Sequence, residues 1–181
     1  SSDLNLCSKW GGHFALKGVM SVEDAKRAVD IGCTGIMVSN HGGRQLDGAR
    51  SPFDQLAEIV DEIKKIKPKA SFVICTNLSN LSKDFLNLVE RDYFFISSSL
   101  DGPPEIHESR RTFNKKNTTK FFDNLDFILS RFSSSKISLL PTIVEYKKIN
   151  DTIDFFYEKK LSEIFLRPVN FQGFARKKFS D

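Results

Sequence analysis

Six short apolar runs punctuate this chain, the first five each followed by a stretch with helical spacing, and that alternation constrains the fold more than anything else in the sequence. The runs are 13–16, 35–39, 71–76, 93–99, 136–144 and 163–168. Between them, 21–31, 52–66, 81–91, 119–132 and 151–159 carry apolar residues three and four apart, as a one-sided helix requires. Strands that alternate with helices predict a parallel sheet with right-handed crossovers. The expected class is α/β, a parallel (β/α)6 partial TIM-type barrel with its last helix missing. Pro141 inside the fifth run predicts an edge or a bulge. Residues 104–118 read as a polar, basic loop, with His107 solvated and Arg110 and Arg111 as loop charge.

Composition changes partway along. Residues 1–62 hold 8 of the 10 glycines and 2 of the 17 phenylalanines, with net charge −3; residues 63–181 hold the rest, with net charge +7. Such a break suggests two pieces joined near Glu62–Lys69, although one domain of uneven composition gives the same statistics. The join falls within a helix and preserves the alternation, so one joint domain of two fragments, 1–62 and 63–181, is expected.

The chemistry sits in Ser39-Asn40-His41-Gly42-Gly43-Arg44-Gln45-Leu46-Asp47-Gly48, directly after the second run. Its glycines turn the chain sharply at the strand end. An imidazole there can take a proton near neutral pH, and a guanidinium three residues on can grip a carboxylate through two hydrogen bonds. A base beside a carboxylate clamp suits removal of a proton from a 2-hydroxy acid. A solvated Gly-rich loop is the plainer alternative for a lone His and Arg.

This string resembles the signature of the FMN-dependent 2-hydroxy-acid dehydrogenases and oxidases, the L-lactate dehydrogenase and glycolate oxidase family. The resemblance runs from about Asp3 to Glu62 and includes Phe14-Ala15-Leu16-Lys17-Gly18, Ser21-Val22-Glu23-Asp24-Ala25 and Ser51-Pro52-Phe53-Asp54-Gln55-Leu56. It implies a barrel fragment in which Lys17 lies beside the flavin ring, His41 is the catalytic base and Arg44 holds the substrate carboxylate, with Ser39 also on the cofactor side. The implied activity is FMN-dependent oxidation of a small L-2-hydroxy acid. The family also needs an Asp to orient the histidine, a substrate-binding Tyr and two phosphate loops from later units. Those units are replaced here, so FMN is expected to be weakly held or lost; Asp47 lies too close in sequence to His41 to be assumed the orienting acid.

Residues 64–178 resemble the middle of a radical SAM peptide maturase of the His-Xaa-Ser system. Phe72-Val73-Ile74-Cys75-Thr76-Asn77-Leu78, Ser97-Ser98-Ser99-Leu100-Asp101-Gly102-Pro103 and Ile164-Phe165-Leu166-Arg167-Pro168 carry the likeness. It implies S-adenosylmethionine over a 4Fe–4S cluster, with Asn77, Ser99 and Asp101 on the rim facing the cofactor. The Cys-x3-Cys-x2-Cys loop of that family is absent, and a cluster needs thiolates gathered in space. Cys7, Cys33 and Cys75 are far apart in sequence, so no disulfide framework and no metal site are expected, and Cys75 reads as a small buried hydrophobe. Three readings follow: the flavin oxidoreductase, a radical SAM-type peptide-modifying domain without its cluster, or an inactive chimera of two barrel pieces.

Partners are expected to be a small 2-hydroxy-acid substrate, with no nucleic acid at a net charge of +4. No apolar run approaches the roughly 18 residues of a membrane span. With no secretory signal pattern and few cysteines, a cytoplasmic setting is expected.

Overall fold

A computed structural model describes residues 2–44, 48–161 and 163–169. The backbone divides into two compact units, Ser1–Ala70 and Ser71–Asp181.

The first unit contains α1 (Ser2–Trp10), β1 (Ala15–Val19), α2 (Val22–Asp30), β2 (Gly35–Val38) and α3 (Pro52–Ile66). Its helices start where the sequence says they should. Ser21 Oγ accepts from Asp24 N at 3.1 Å, and Ser51 Oγ accepts from Asp54 N at 3.1 Å with Pro52 at the first helical position. Gly32, at φ +89°, ends α2 and lets Cys33 N reach back to Ala28 O at 2.9 Å. The strands β1 and β2 pair in parallel. Ala25 and Ala28 of α2 and Ile59, Val60 and Ile63 of α3 are buried.

The second unit contains β3 (Phe72–Cys75), α4 (Lys83–Val89), β4 (Phe94–Ser98), α5 (Pro104–His107), α6 (Lys115–Arg131), β5 (Ile137–Leu139), β6 (Thr142–Ile143), α7 (Ile149–Glu158) and β7 (Arg167–Pro168). The order β3–β4–β5 forms a parallel sheet with β4 in the centre. Burial of Phe94, Ile96 and Ser98 fits that central place. Ile96, Leu100, Phe121, Leu125, Ile128, Leu139 and Phe156 belong to one apolar core.

The class is α/β with parallel pairing throughout, but the described strands form three sheets, β1–β2, β3–β4–β5 and β6–β7, not one six-strand array. The fifth predicted strand explains part of this. Leu140 N still bonds Ser98 O at 2.9 Å, but Pro141 has no N–H to continue the ladder, and its carbonyl instead accepts from Arg167 N at 3.0 Å. The chain therefore changes partners at Pro141, and the sixth predicted strand shrinks to Arg167–Pro168.

The expected loop 104–118 is helical. Pro104 starts α5, a π-helical turn covers Glu108–Thr112, Phe113 at φ +59° breaks the run, and Asn114 caps α6 through Asn117 N at 2.9 Å. Ile106 and His107 are buried on its inner side. Of the charges that suggested a solvated loop, Arg110 pairs with Glu145 and Arg111 with the buried Asp101. Cys75 is exposed, not buried, because it lies on the open face of edge strand β3 with Val73.

Candidate functional site

In the first unit the predicted residues gather at the C-terminal ends of β1 and β2. Lys17, expected to follow its strand, lies within it and pairs with Met37. Val19 then pairs with Val38, so Gly18 is an extra residue that bulges from the ladder at φ +99°. A β-carbon at Gly18 would stand 2.8 Å from His41 Nε2. The missing side chain is thus the space into which the imidazole fits.

The turn after β2 holds that ring in place from the other side. Ser39 Oγ accepts from His41 N at 3.2 Å, Asn40 Oδ1 accepts from Gly42 N at 3.0 Å, and Asn40 O accepts from Gly43 N at 3.0 Å. Asn40 also donates to Arg50 O at 3.4 Å. His41, Gly42 and Gly43 have φ of +55°, +70° and +73°. Three left-handed residues in succession require the glycines, and the histidine bears a strain of about 1–2 kcal/mol. Lys17, His41 and Arg44 are exposed. The predicted partners Gln45, Leu46 and Asp47 lie outside the described residues. Among the described residues no carboxylate hydrogen-bonds the His41 ring, so the site offers a solvent-accessible base and two cations.

Gly18→Ala tests this fit. The added methyl collides with Nε2 and forces Ala into positive φ. We expect displaced His41 imidazole resonances by NMR and a loss of about 1–2 kcal/mol of stability. Unmoved resonances would show that the ring does not rest on Gly18.

In the second unit the C-terminal ends of β3, β4 and β5 open into a cleft of about 890 Å³. Asn77 and Ser99 line it, together with Thr76 and Ser98. His107, Arg111, Lys120 and Phe121 close its helical side, and no carboxylate among the described residues lines it. Ligands of parallel sheets are held at this end of the strands. Asp101 is not in the lining. Its carboxylate is buried and takes two hydrogen bonds from Arg111, at 2.7 and 3.1 Å, and one from Thr142 N at 2.8 Å. Arg111 is therefore a structural partner of Asp101 and not loop charge.

His107, expected to be solvated, is 2% exposed. Its ring stacks on Phe121 at 4.1 Å, and its Nδ1 has no hydrogen-bond partner; neither has the buried Ser98 Oγ. Two buried polar atoms without partners at one cleft are a binding feature the sequence did not disclose. The available signal was Pro-Pro at 103–104, which starts a helix and carries Ile106 and His107 inward.

Burial lowers the His107 pKa to about 4; the Asp101 carboxylate opposes the shift and the Arg111 guanidinium adds to it. Between about pH 6.5 and 4 the unfolded chain binds a proton here that the folded chain does not, so stability falls as pH drops through that window. We expect a loss of roughly 3 kcal/mol across it, measured by urea melts at a series of pH values. In His107→Phe that dependence should disappear; an unchanged slope would place the acid sensitivity elsewhere.

Residues 4–72 match the family model described as FMN-dependent dehydrogenase. An FMN-dependent alpha-hydroxy acid dehydrogenase of Penicillium citrinum is 52% identical over 54 residues, which is 30% of this chain and 13% of that protein. The 4-hydroxymandelate oxidase of Amycolatopsis orientalis is 67% identical over 45 residues, 25% of this chain and 13% of the relative. An L-lactate dehydrogenase of Vibrio cholerae is 53% identical over 55 residues, 30% and 15% respectively. Among solved structures, native anSMEcpe with bound AdoMet gives a TM-score of 0.53 at 16% identity over 64% of this chain and 32% of that one, a likeness of fold. The described residues contain no helix long and apolar enough to cross a membrane. The chain spans 13–15% of the length of the curated relatives it matches, and the segment at 4–72 is similar to FMN-dependent 2-hydroxy-acid dehydrogenases and oxidases.

Proposed function

We propose that the first unit carries the flavin-ring and substrate side of an FMN-dependent oxidoreductase for a small L-2-hydroxy acid of the lactate or glycolate type. The observation that supports this most is the bulge at Gly18, which seats His41 Nε2 against the strand that carries Lys17. Arg44 binds the substrate carboxylate through paired hydrogen bonds. His41 takes the proton from the substrate, and its fixed backbone aims the ring. Lys17 and Ser39 face the cofactor, and Lys17 places positive charge where negative charge develops. FMN, when bound, supplies the acceptor for the two electrons.

The same residues point to weak activity. A catalytic base without its orienting carboxylate loses about four orders of magnitude in rate. In anaerobic mixtures with excess FMN, L-lactate or glycolate should bleach the flavin slowly, and the bleaching should vanish in His41→Ala. Equal rates in the parent chain and in His41→Ala would discard the oxidoreductase reading.

The cleft of the second unit supports a separate reading as a binding module, with S-adenosylmethionine as the ligand that the Ser99-Leu100-Asp101-Gly102-Pro103 resemblance suggests. A 4Fe–4S cluster does not fit. The chain has three cysteines, of which Cys7 and Cys33 touch each other in the first unit and Cys75 is the one thiol of the second. No radical step is derived. Equilibrium dialysis with S-adenosylmethionine tests the reading: binding that weakens in Ser98→Val and His107→Phe supports it, and no retention discards it.

A further inference from the structure

Cys7 and Cys33 are 26 residues apart in sequence, yet their Sγ atoms lie 3.9 Å apart. Cys7 is on α1 and Cys33 directly follows the glycine that ends α2. Both are half-buried, so a small reagent reaches them while the surrounding chain holds them in place.

The backbone on each side is fixed. Gly11 N bonds Cys7 O at 3.3 Å, and Trp10 Nε1 bonds His13 O at 3.0 Å, which ties the end of α1 to the start of β1. Cys33 N bonds Ala28 O at 2.9 Å. Its neighbour Thr34 clasps Phe14: the Thr34 hydroxyl accepts from Phe14 N at 3.0 Å and donates to Phe14 O at 3.2 Å. The two thiols therefore meet at the N-terminal ends of β1 and β2, the end opposite His41. A disulfide between them would close this gap to about 2.0 Å.

We propose that Cys7 and Cys33 are a reversible disulfide site that pins α1 to the turn between α2 and β2, with a low-molecular-weight disulfide as its oxidant. One thiolate attacks the S–S bond of the oxidant, forms a mixed disulfide and releases one small thiol. The second thiolate attacks the protein sulfur of that mixed disulfide and releases the other. The protein pair loses two protons and two electrons, and the oxidant is reduced to two thiols. Cys75 is exposed and belongs to the other unit, so it serves as an internal control.

The test is incubation of the whole chain with oxidised glutathione, alkylation of remaining thiols, peptide mapping by mass spectrometry and a thermal melt. The expected result is a Cys7–Cys33 cross-linked peptide, with Cys75 recovered alkylated or glutathionylated. Cross-linking a loop of this length should raise the melting temperature of the first unit by on the order of 10 °C. Dithiothreitol should reverse the rise, Cys75→Ser should keep it, and Cys7→Ala and Cys33→Ala should each lack it. Recovery of Cys7 and Cys33 as separate glutathione adducts, a cross-link to Cys75, or a cross-link without a higher melting temperature would overturn the proposal.

Discussion

Asp101→Ala should destabilise the second unit by about 3–5 kcal/mol, the usual result of removing one partner from a buried ion pair. Asp101 is 1% exposed and accepts from Nε and Nη2 of Arg111 and from Thr142 N. Its loss leaves the Thr142 N–H without its acceptor and the Arg111 guanidinium with the Thr142 hydroxyl in place of a carboxylate, and releases the junction where the chain passes from β5 to β6. Arg111 is about a third exposed and recovers some hydration, so the lower half of the range is the better guide. Against a total stability of about 5–15 kcal/mol, this suffices to leave the unit partly unfolded. In urea the midpoint should fall by on the order of 2 M. A change below about 1 kcal/mol, the range of an exposed pair, would show that the Asp101–Arg111 pair does not organise this end of the sheet.

The same pair shows what could be read from the sequence. The starts of α2 and α3 were legible because each is set locally: Ser21 and Ser51 accept from a backbone N–H three residues on; Asn114 caps α6 in the same way, yet inside the stretch expected as loop. The strand cores were legible from short apolar runs, and the turn at His41–Gly43 from its glycines. What stayed hidden depends on distant partners. Asp101 and Arg111 looked like rim and loop charge because nothing in their neighbours records that Thr142 comes between them. Pro141 was visible as an irregularity, but the exchange of β4 for β7 as neighbour was not. Cys7 and Cys33 were judged by sequence spacing, which says little about two residues brought together where α1 and α2 end. His107 was read from the charges around it, although Ile106 beside it marked the inward face.

The residues proposed for the flavin site were picked out for a different reason. The string from Ser39 to Gly48 carries its chemistry within ten residues, and Gly18 matters because a strand bulge brings it beneath His41. The groups that would hold the cofactor phosphate, as the family resemblance implies them, belong to later units than the matched segment, residues 4–72. Charged hydrogen bonds of that kind contribute about 1.5–3 kcal/mol each. Three of them amount to roughly 4.5–9 kcal/mol, or three to six orders of magnitude in affinity.

Titration of FMN into the purified chain, followed by flavin fluorescence, measures this directly. The account predicts saturable binding no tighter than high micromolar, weakened further in Lys17→Glu, and only slow bleaching, lost in His41→Ala, when L-lactate is added without oxygen. Sub-micromolar binding with rapid bleaching that His41→Ala abolishes would contradict the loss of the phosphate grip, and fluorescence that never saturates would contradict a flavin-ring site at Lys17 and His41.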